Sequence, residues 1–431
     1  MLVRSRSYLS FLRIGNVVRE TKKLINSFMI FSLLLNLARL LTGLLCIQWI
    51  SPEEIGVWQL MILIEGYLMF ARFGIFNALN RELPYYLGRN RYEKAMIYHD
   101  TAEGYAILVS ILFLVGLSVS VIVYNPTILY WKECMLVFAG YLPIKFYSGF
   151  IELTYRSGRD FRKLAIVQAF LIVLTILSII LVYYFGFAGY LSRIILLAAI
   201  GLILMMWFRP FRFNAKLNYQ YFKQLFRIGM PLFMSNYGQS VINSFPGMLI
   251  LIFGNLATLG LYYPVGIIIN FGAMVPGAIS SYLYPQTSYE YGVNKNINQV
   301  VQKSLKAGFY SMLLMVPVIG IVFLLLPFMF YRFAPQYSEA LMAAKWALLF
   351  SLVGCMSLLY NPFAILKAWK PMYIYIGISG IISWCLPYIV LSYIDAQYIL
   401  VALVISFLVV KIILAGFNYL SIQRMVPQVS K

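Results

Sequence analysis

The chain has 431 residues, of which 62% are hydrophobic and 11% are charged, and its formal net charge is +20. A soluble domain carries about 25% charged residues, so this composition excludes a soluble globular protein. The basic residues stand between long apolar blocks rather than in one patch, which is typical of membrane topology signals and argues against nucleic-acid binding.

Twelve apolar blocks are each long enough to cross about 30 Å of hydrocarbon as a helix, which takes ~20 residues. Only the stretch 186–190 separates the fifth block from the sixth, and its glycines predict a tight turn. The predicted spans are 24–50, 55–80, 102–124, 133–155, 164–185, 187–208, 228–252, 259–284, 307–331, 341–366, 372–394 and 398–421. The sequence therefore predicts an all-α polytopic membrane protein, with the first span as an uncleaved signal.

Lysine and arginine residues indicate how the spans are oriented. Of the 34 basic residues, six lie inside predicted spans, two (Lys132 and Arg332) lie in connections on one side, and the other 26 lie on the side of the N-terminus. By the positive-inside rule, both termini are expected to be cytoplasmic. The outer connections 51–54 and 395–397 are too short to hold an external domain.

The two halves of the chain are similar to each other at a spacing of 204 residues, which aligns Gly56 with Gly260. Six predicted spans lie on either side of a basic segment, so we predict two parallel six-helix repeats. The predicted organisation is an N-terminal lobe (1–208), a cytoplasmic linker (209–227) and a C-terminal lobe (228–431).

Charged residues inside the predicted spans should face protein or water, because a charge costs roughly 2.5–3.5 kcal/mol at the bilayer centre. Glu65 and Arg72 share a helix face but lie about 10 Å apart along the axis, too far for a salt bridge. Lys145 and Glu152 repeat this spacing in the fourth span. By depth, Arg39 is the expected partner of Glu65, and whether that pair only locks two helices together remains open.

The basic residues in the spans outnumber the two acids expected to neutralise them, so some cations are predicted to be unpaired. Lys345 lies near enough to the outer end of its span to reach the interface. Unpaired cations in a wet intramembrane space favour an anionic ligand. The candidate residues of this cationic cavity are Arg39, Arg72, Lys145, Arg193 and Lys411.

The seventh span adds a polar stripe, and Pro246 is expected to kink its helix. Amides that face lipid are costly, so the stripe either lines a cavity or joins helices, and both interpretations remain open. The polar residues assigned to the cavity are Asn236, Gln239, Ser240, Asn243 and, in the eighth span, Asn270.

No metal or catalytic site is predicted. The four cysteines, Cys46, Cys134, Cys355 and Cys385, have no metal-like spacing and are interpreted as apolar packing residues. His99, the only histidine, is expected at the surface between two spans. The sequence shows no Walker A pattern, which argues against direct use of ATP.

Several segments together resemble one known family. The run from ISPEEIGVWQL to YYLGRNR (50–91) resembles helices 1–2 of the polysaccharide flippases, and the run from LFRIGMPLF to SYEYG (225–292) resembles their helices 7–8. The segments 155–167 and 333–348 resemble the approaches to helices 5 and 10. On these residues the chain resembles the Wzx-type O-antigen flippases of the multidrug/oligosaccharidyl-lipid/polysaccharide (MOP) exporter superfamily, which also contains the MATE drug pumps.

The resemblance implies a MATE-like, V-shaped fold of two lobes around a central cavity. It implies a flippase of the bacterial inner membrane, not an enzyme, that moves undecaprenyl-pyrophosphate-linked oligosaccharide from the cytoplasmic to the periplasmic leaflet by alternating access. A proton or sodium gradient would drive it without a bound cofactor, with Glu65 and Glu152 as the candidate coupling groups. The expected partners are this lipid-linked cargo, the bilayer and other polysaccharide-assembly membrane proteins.

Two alternative functions remain open. A membrane polysaccharide polymerase or glycosyltransferase would be expected to have a long outer loop or a cytoplasmic acidic site, whereas the outer loops are short and the cytoplasmic acids few. A drug exporter of the same superfamily would want acidic residues in its cavity for cationic drugs, whereas cations prevail in these spans.

Overall fold

The structure, a computed structural model, describes residues 28, 30–124, 126–158, 160–366 and 368–428, and this part of the chain is helical without any strand. The N-terminal segment 1–23, which the sequence predicts to be cytoplasmic, lies outside the described residues. The helices are α1 (Ile30–Trp49), α2 (Pro52–Leu68), α3 (Ile75–Gly88), α4 (Tyr92–Val123), α5 (Trp131–Ser157), α6 (Phe161–Leu177), α7 (Ile179–Trp207), α8 (Tyr219–Phe253), α9 (Leu256–Asn294), α10 (Ile297–Phe333), α11 (Leu341–Gly354), α12 (Asn361–Ile365), α13 (Trp369–Leu391) and α14 (Ile399–Gln428). Short 3₁₀ segments join some of them, at Met69–Arg72, Pro335–Ala340 and Cys355–Tyr360.

Ten stretches within the described residues are long and apolar enough to cross a membrane, which confirms a polytopic all-α fold. The predicted fifth span is not among them as a separate stretch, because α6 has only 17 residues before the helix continues into α7. Gly186 then breaks α7 with φ 53° and ψ −128°, at the turn that the sequence predicts between the fifth and sixth spans. The predicted seventh span lies in α8 and is also absent from the ten stretches, because the polar stripe lowers the mean hydropathy of this helix.

The predicted outer side is closed by contacts between the two halves of the chain. Ser51 and Glu54 form a capping box at the start of α2, which fixes the turn after α1. On the other half, the Tyr337 hydroxyl donates a hydrogen bond to the Ile50 carbonyl at 3.1 Å, and the Gln336 amide donates to the Ile47 carbonyl at 2.6 Å. The largest apolar core extends inward from these contacts and contains side chains of both halves.

Two pairs of glycines bring the backbones of the halves into contact. A methyl group added at Gly56 would lie 1.9 Å from the backbone oxygen of Leu256, and one at Gly260 would meet the start of α2 equally closely. One at Gly229 would lie 1.9 Å from the oxygen of Gly74, which has φ 75°. Only glycine permits approaches this close. The division into two lobes stays a prediction, and these contacts show where the helices on either side of the linker meet.

Candidate functional site

A polar cavity of about 410 Å³ lies on the predicted cytoplasmic side of the core, between α3, α5 and α8. We call it the polar cavity. Its polar and charged lining residues are Arg72, Asn77, Asn80, Glu152, Arg156 and Asn236. Because α8 follows the linker, both halves of the chain contribute. The cavity brings together two residues that the sequence assigned to a cavity, Arg72 and Asn236, and the predicted coupling group Glu152.

Arg72 reaches the polar cavity because the helix breaks at this residue. The 3₁₀ segment Met69–Arg72 ends at Phe73, which has a positive φ of 40°, before α3 begins. The side chain passes Gly149 of α5, where a Cβ would lie 3.5 Å from Nη2, and its guanidinium lies 5.8 Å from the ring centre of Phe76. Its Nε is buried and has no hydrogen-bond partner within the described chain. Because Arg72 also lines the polar cavity, its guanidinium is the group that a ligand in the cavity would contact.

The charges of the polar cavity do not cancel. Glu152 forms an ion pair with Arg156 one turn later on α5, and both residues line the cavity. Arg72 forms no ion pair with any carboxylate that the structure describes. Two guanidinium groups thus face one carboxylate, and the cavity carries a net positive charge.

The predicted pair of Arg39 and Glu65 is wrong. The Glu65 carboxylate instead binds the Lys145 ammonium at 2.6 Å, because α2 packs against α5 at this depth. Lys145 also lies 5.1 Å from the ring centre of Tyr141. Lys145 is therefore a paired cation, while Glu65 Oε2 is buried without a hydrogen-bond partner among the described residues.

Arg39 is exposed on a face of α1 that turns toward the other half of the chain. One turn later on that face, a Cβ at Gly43 would lie 2.9 Å from the Tyr263 hydroxyl of α9. Arg39 forms no ion pair with a carboxylate of the described residues, and it lines neither the polar cavity nor a second, larger cavity between α2 and α9.

The placement of Arg193 in a cationic cavity is wrong. Its side chain is buried, and Nε donates a hydrogen bond to the Ser178 hydroxyl at 2.8 Å. Its Nη2 donates to the hydroxyl of Thr42, and Nη1 lies 3.6 Å from the Cys46 sulfur. The break at Gly186 turns this part of α7 toward α1 and α6. The Arg193 guanidinium therefore makes its hydrogen bonds to residues of these helices and holds them together.

A second cavity of about 650 Å³, here called the deep cavity, lies between α2, α8, α9, α13 and α14. Three residues assigned by the sequence line it, namely Asn243, Asn270 and Lys411. Lys411 lies 5.6 Å from the ring centre of Phe350, and the described residues offer it no carboxylate. Among the other lining residues are Gln59, Trp58, Ser379, Ser383, Tyr262 and Tyr263.

The remainder of the predicted stripe lies beside the two cavities. Gln239 donates a hydrogen bond to Asn243 Oδ1 at 3.3 Å and thereby orients it. Ser240 is exposed but lines neither cavity. Asn77 and Asn80 of α3 line the polar cavity and were missed, although their spacing of three residues puts both amides on one helix face.

His99 is fully buried, so its predicted surface position is wrong. The ring lies between Phe150 and Phe211, and Nδ1 is 3.0 Å from Asp100 Oδ1. Nearby, the buried Glu103 accepts hydrogen bonds from Arg209, Tyr147 and the backbone N–H of Asn214. One signal for this cluster was missed, namely that Glu103 is a carboxylate within the first turn of the predicted span 102–124.

Three of the four cysteines are buried, as expected for apolar packing residues, and the fourth is not. Cys46, Cys134 and Cys355 are buried, whereas Cys385 is exposed on α13. No group of metal-ligating side chains occurs within the described part of the chain.

Comparison with known proteins adds a family and a fold. Residues 37–340 match the model of a family described as "Polysaccharide biosynthesis protein", while no functionally curated protein matches the chain. The fold is similar to an inward-facing multidrug resistance MATE transporter of the MOP superfamily, with TM-score 0.69 and 15% identity over 92% of this chain and 96% of that chain. An outward-facing MATE transporter gives 0.63 and 14% over 94% and 96%, and a MATE in complex with MaL6 gives 0.63 and 15% over 94% and 97%. The predicted MATE-like architecture is thereby confirmed.

Proposed function

The chain belongs to the family of polysaccharide biosynthesis proteins, and from this premise we propose that it is a flippase for a lipid-linked saccharide. The proposed cargo is an undecaprenyl-pyrophosphate-linked oligosaccharide, such as an O-antigen repeat unit. The protein would carry it from the cytoplasmic to the periplasmic leaflet of a bacterial inner membrane, with both of its own termini in the cytoplasm. The MATE fold supports transport rather than catalysis.

The observation that carries this proposal is the net positive charge of the polar cavity between the two halves. Arg72 lines this cavity and has no carboxylate partner among the described residues, and Arg156 adds a second guanidinium beside Glu152. A planar guanidinium binds two phosphate oxygens at once, and such ionised hydrogen bonds are among the stronger ones in proteins. The cavity thus suits a pyrophosphate, and the amides of Asn77 and Asn236 suit the first sugar hydroxyls.

The deep cavity supports a saccharide as cargo. Asn243 and Asn270 offer both donors and acceptors, and aromatic side chains such as Trp58 stand beside them. Lys411 adds a positive charge that would favour a saccharide with acidic groups. A cationic drug would meet repulsion from this lysine and from the arginines of the polar cavity, which argues against the drug-exporter alternative.

Alternating access and ion coupling complete the proposal. The halves meet through backbone contacts at Gly56 and Gly260, and these contacts would separate when the cavity opens to the periplasm. A proton or sodium gradient would supply the energy. Glu65 is the leading coupling group, because protonation of its carboxylate would release Lys145, and Glu152 could release Arg156 in the same way.

The test is complementation of a deletion strain of the source bacterium with Arg72→Ala. We expect the protein to insert normally while surface polysaccharide falls at least ~10-fold, because lost hydrogen bonds between charged groups are worth roughly 1.5–3 kcal/mol. The lipid-linked saccharide should accumulate on the inner leaflet. The matched control is Arg91→Ala, which removes an exposed arginine outside the cavities and should export normally.

Normal surface polysaccharide in Arg72→Ala would contradict the assigned role of this arginine. Normal polysaccharide in the deletion strain itself would contradict the proposed function. Increased sensitivity of that strain to cationic drugs, with unchanged polysaccharide, would favour a drug exporter instead.

A further inference from the structure

A lateral groove runs along the predicted cytoplasmic half of α8, where this helix packs against α13. Its volume is about 510 Å³, and it belongs to neither of the two cavities. The groove is lined by Lys223, Phe226, Arg227, Met230, Met234 and Tyr373. The Tyr373 hydroxyl donates a hydrogen bond to the Pro231 carbonyl at 2.8 Å, which fixes the two helices to each other beneath the groove. We call this surface the α8/α13 groove.

The α8/α13 groove changes from cationic to apolar along its length. Lys223 and Arg227 are exposed and lie one turn apart, followed on the same face by Met230 and Met234. From Lys223 to Met234 the helix rises about 16 Å, so the cations lie near the predicted membrane surface and the methionines lie deeper. Neither cation has a carboxylate partner among the described ion pairs. This polarity matches a lipid that stands in the cytoplasmic leaflet with an anionic headgroup.

The charge of the groove favours a diphosphate over an ordinary phospholipid. Two cations one helical turn apart can each bind one phosphate group, whereas the single phosphate of a phospholipid engages only one of them fully. The apolar floor accepts a hydrocarbon chain. On its opposite side α8 carries Leu232 and Asn236 of the polar cavity, so a headgroup in the groove is one helix diameter away from that cavity.

We propose that the α8/α13 groove docks the diphosphate and the adjoining isoprenoid chain of the polyprenyl carrier before its saccharide enters the polar cavity. This inference rests on the proposed function. It assigns to the C-terminal half a lipid site that is distinct from both cavities, and it explains why exposed cations stand directly beside an apolar groove.

The N-terminal half contains a counterpart that serves as a control. A groove of about 470 Å³ lies between α1 and α6. These helices belong to the first and fifth predicted spans of the N-terminal half, and α8 and α13 belong to the first and fifth predicted spans of the C-terminal half. The groove between α1 and α6 is lined mainly by apolar residues such as Phe31, Ile166 and Phe170, and Arg162 is its one cation among the described residues. Because the described lining offers one cation where the α8/α13 groove offers two, we expect the groove of the N-terminal half to bind a diphosphate less tightly.

The experiment measures binding of undecaprenyl diphosphate, without any sugar, to the purified full-length protein in phosphatidylcholine nanodiscs, by native mass spectrometry. The double variant Lys223→Gln/Arg227→Gln should weaken binding about tenfold or more, because it removes both charge-assisted contacts to the diphosphate. Arg162→Gln should bind within about twofold of the unmodified protein, since lone surface charges contribute little. Met234→Trp keeps both cations but fills the groove, and it should weaken binding too.

Apart from Met234, the substituted residues are exposed charged residues. Equal unfolding temperatures of the variants and the unmodified protein will show that the fold is retained. Unchanged binding by the double variant, or an equal loss in Arg162→Gln, would overturn the site. Equal competition by phosphatidylglycerol would overturn the site as well, because the groove would then hold bulk anionic lipid.

If the double variant binds normally while Arg72→Ala loses export, the proposed groove site is wrong and the proposed flippase function stands. If the groove binds the carrier but deletion leaves surface polysaccharide unchanged, the flippase fails and the groove stands.

Discussion

At the scale of single residues, the arginines inside the membrane differ in what their donors meet. Arg193 is satisfied by hydroxyls of α1 and at the start of α7, so it joins helices and has nothing left for a ligand. Arg72 keeps a buried N–H without a partner in the described chain and faces a cavity. Composition and depth alone cannot separate these two cases, because both residues are single cations in apolar blocks. The difference lies in the neighbours that packing supplies.

The pair of Glu65 and Lys145 leads to a prediction about stability. Lys145→Met leaves the Glu65 carboxylate buried without a partner, which costs about 1–3 kcal/mol. The Lys145 side chain is 42% exposed, so solvent screening places the loss toward the lower end of that range. Thermal unfolding in detergent measures it, with Lys345→Met as the control because Lys345 forms no ion pair within the described residues.

The exchange Glu65→Lys/Lys145→Glu tests whether the pair itself is the cause. It should restore the unfolding temperature above that of either single variant, since the opposite charges meet again in reversed order. An exchanged protein no more stable than the single variants would show that the contact does not contribute as a pair.

At the scale of helices, the sequence predicts where most spans lie, but it misses the break at Phe73 within the predicted span 55–80 and predicts helix orientations poorly. Hydropathy and glycine placed the break at Gly186, which the backbone confirms. For the polar stripe of α8 the sequence left two interpretations open, a cavity lining or a contact between helices, and Asn236 and Asn243 line cavities. Depth along a helix is set by counting residues, but its rotation about its own axis depends on which neighbours it packs against. For this reason Glu65 was paired with Arg39 of the adjacent helix, whereas α5 supplies its partner.

The contact of α2 with α9 gives a prediction at the same scale. Gly56→Ala places a methyl group 1.9 Å from a backbone oxygen of α9, so the helices must move apart at the predicted outer side. We expect the deep cavity to become more accessible from the periplasm. With Cys385 replaced, an Asn270→Cys probe should react severalfold faster with an impermeant maleimide.

The control for this prediction lies on the same helix. Gly66 has no atom within 4 Å of the position where a Cβ would be added, so Gly66→Ala should leave the labelling rate unchanged. Equal rates in Gly56→Ala and in the unmodified background would mean that this glycine contact does not keep the outer side closed.

At the scale of the whole molecule, the linker between the two predicted lobes is part of the first one. Glu103 binds the linker through Arg209 and the backbone of Asn214, and the carbonyl of Asp100 accepts a hydrogen bond from the Lys216 N–H at 3.2 Å. We therefore expect the segment 209–216 to move with α4. In the proposed alternating access, a rocking motion of the halves would then be taken up after this segment, near Asn218, which caps α8.

Removing this attachment gives the prediction for the molecule as a whole. Glu103→Leu leaves the Arg209 guanidinium without its buried carboxylate, and losing one partner of such a pair costs about 3–5 kcal/mol. The linker should detach from α4 and trypsin should cut it severalfold faster in inside-out vesicles, while transport slows because the hinge is no longer confined to the start of α8. Glu103→Gln retains an acceptor oxygen, so its cleavage rate should lie between the rates of Glu103→Leu and the unmodified protein. Glu93→Leu, at the exposed start of the same helix, should be cut at the original rate. Equal cleavage of all four proteins would show that Glu103 does not hold the linker, and the hinge would then have to be sought within residues 209–216.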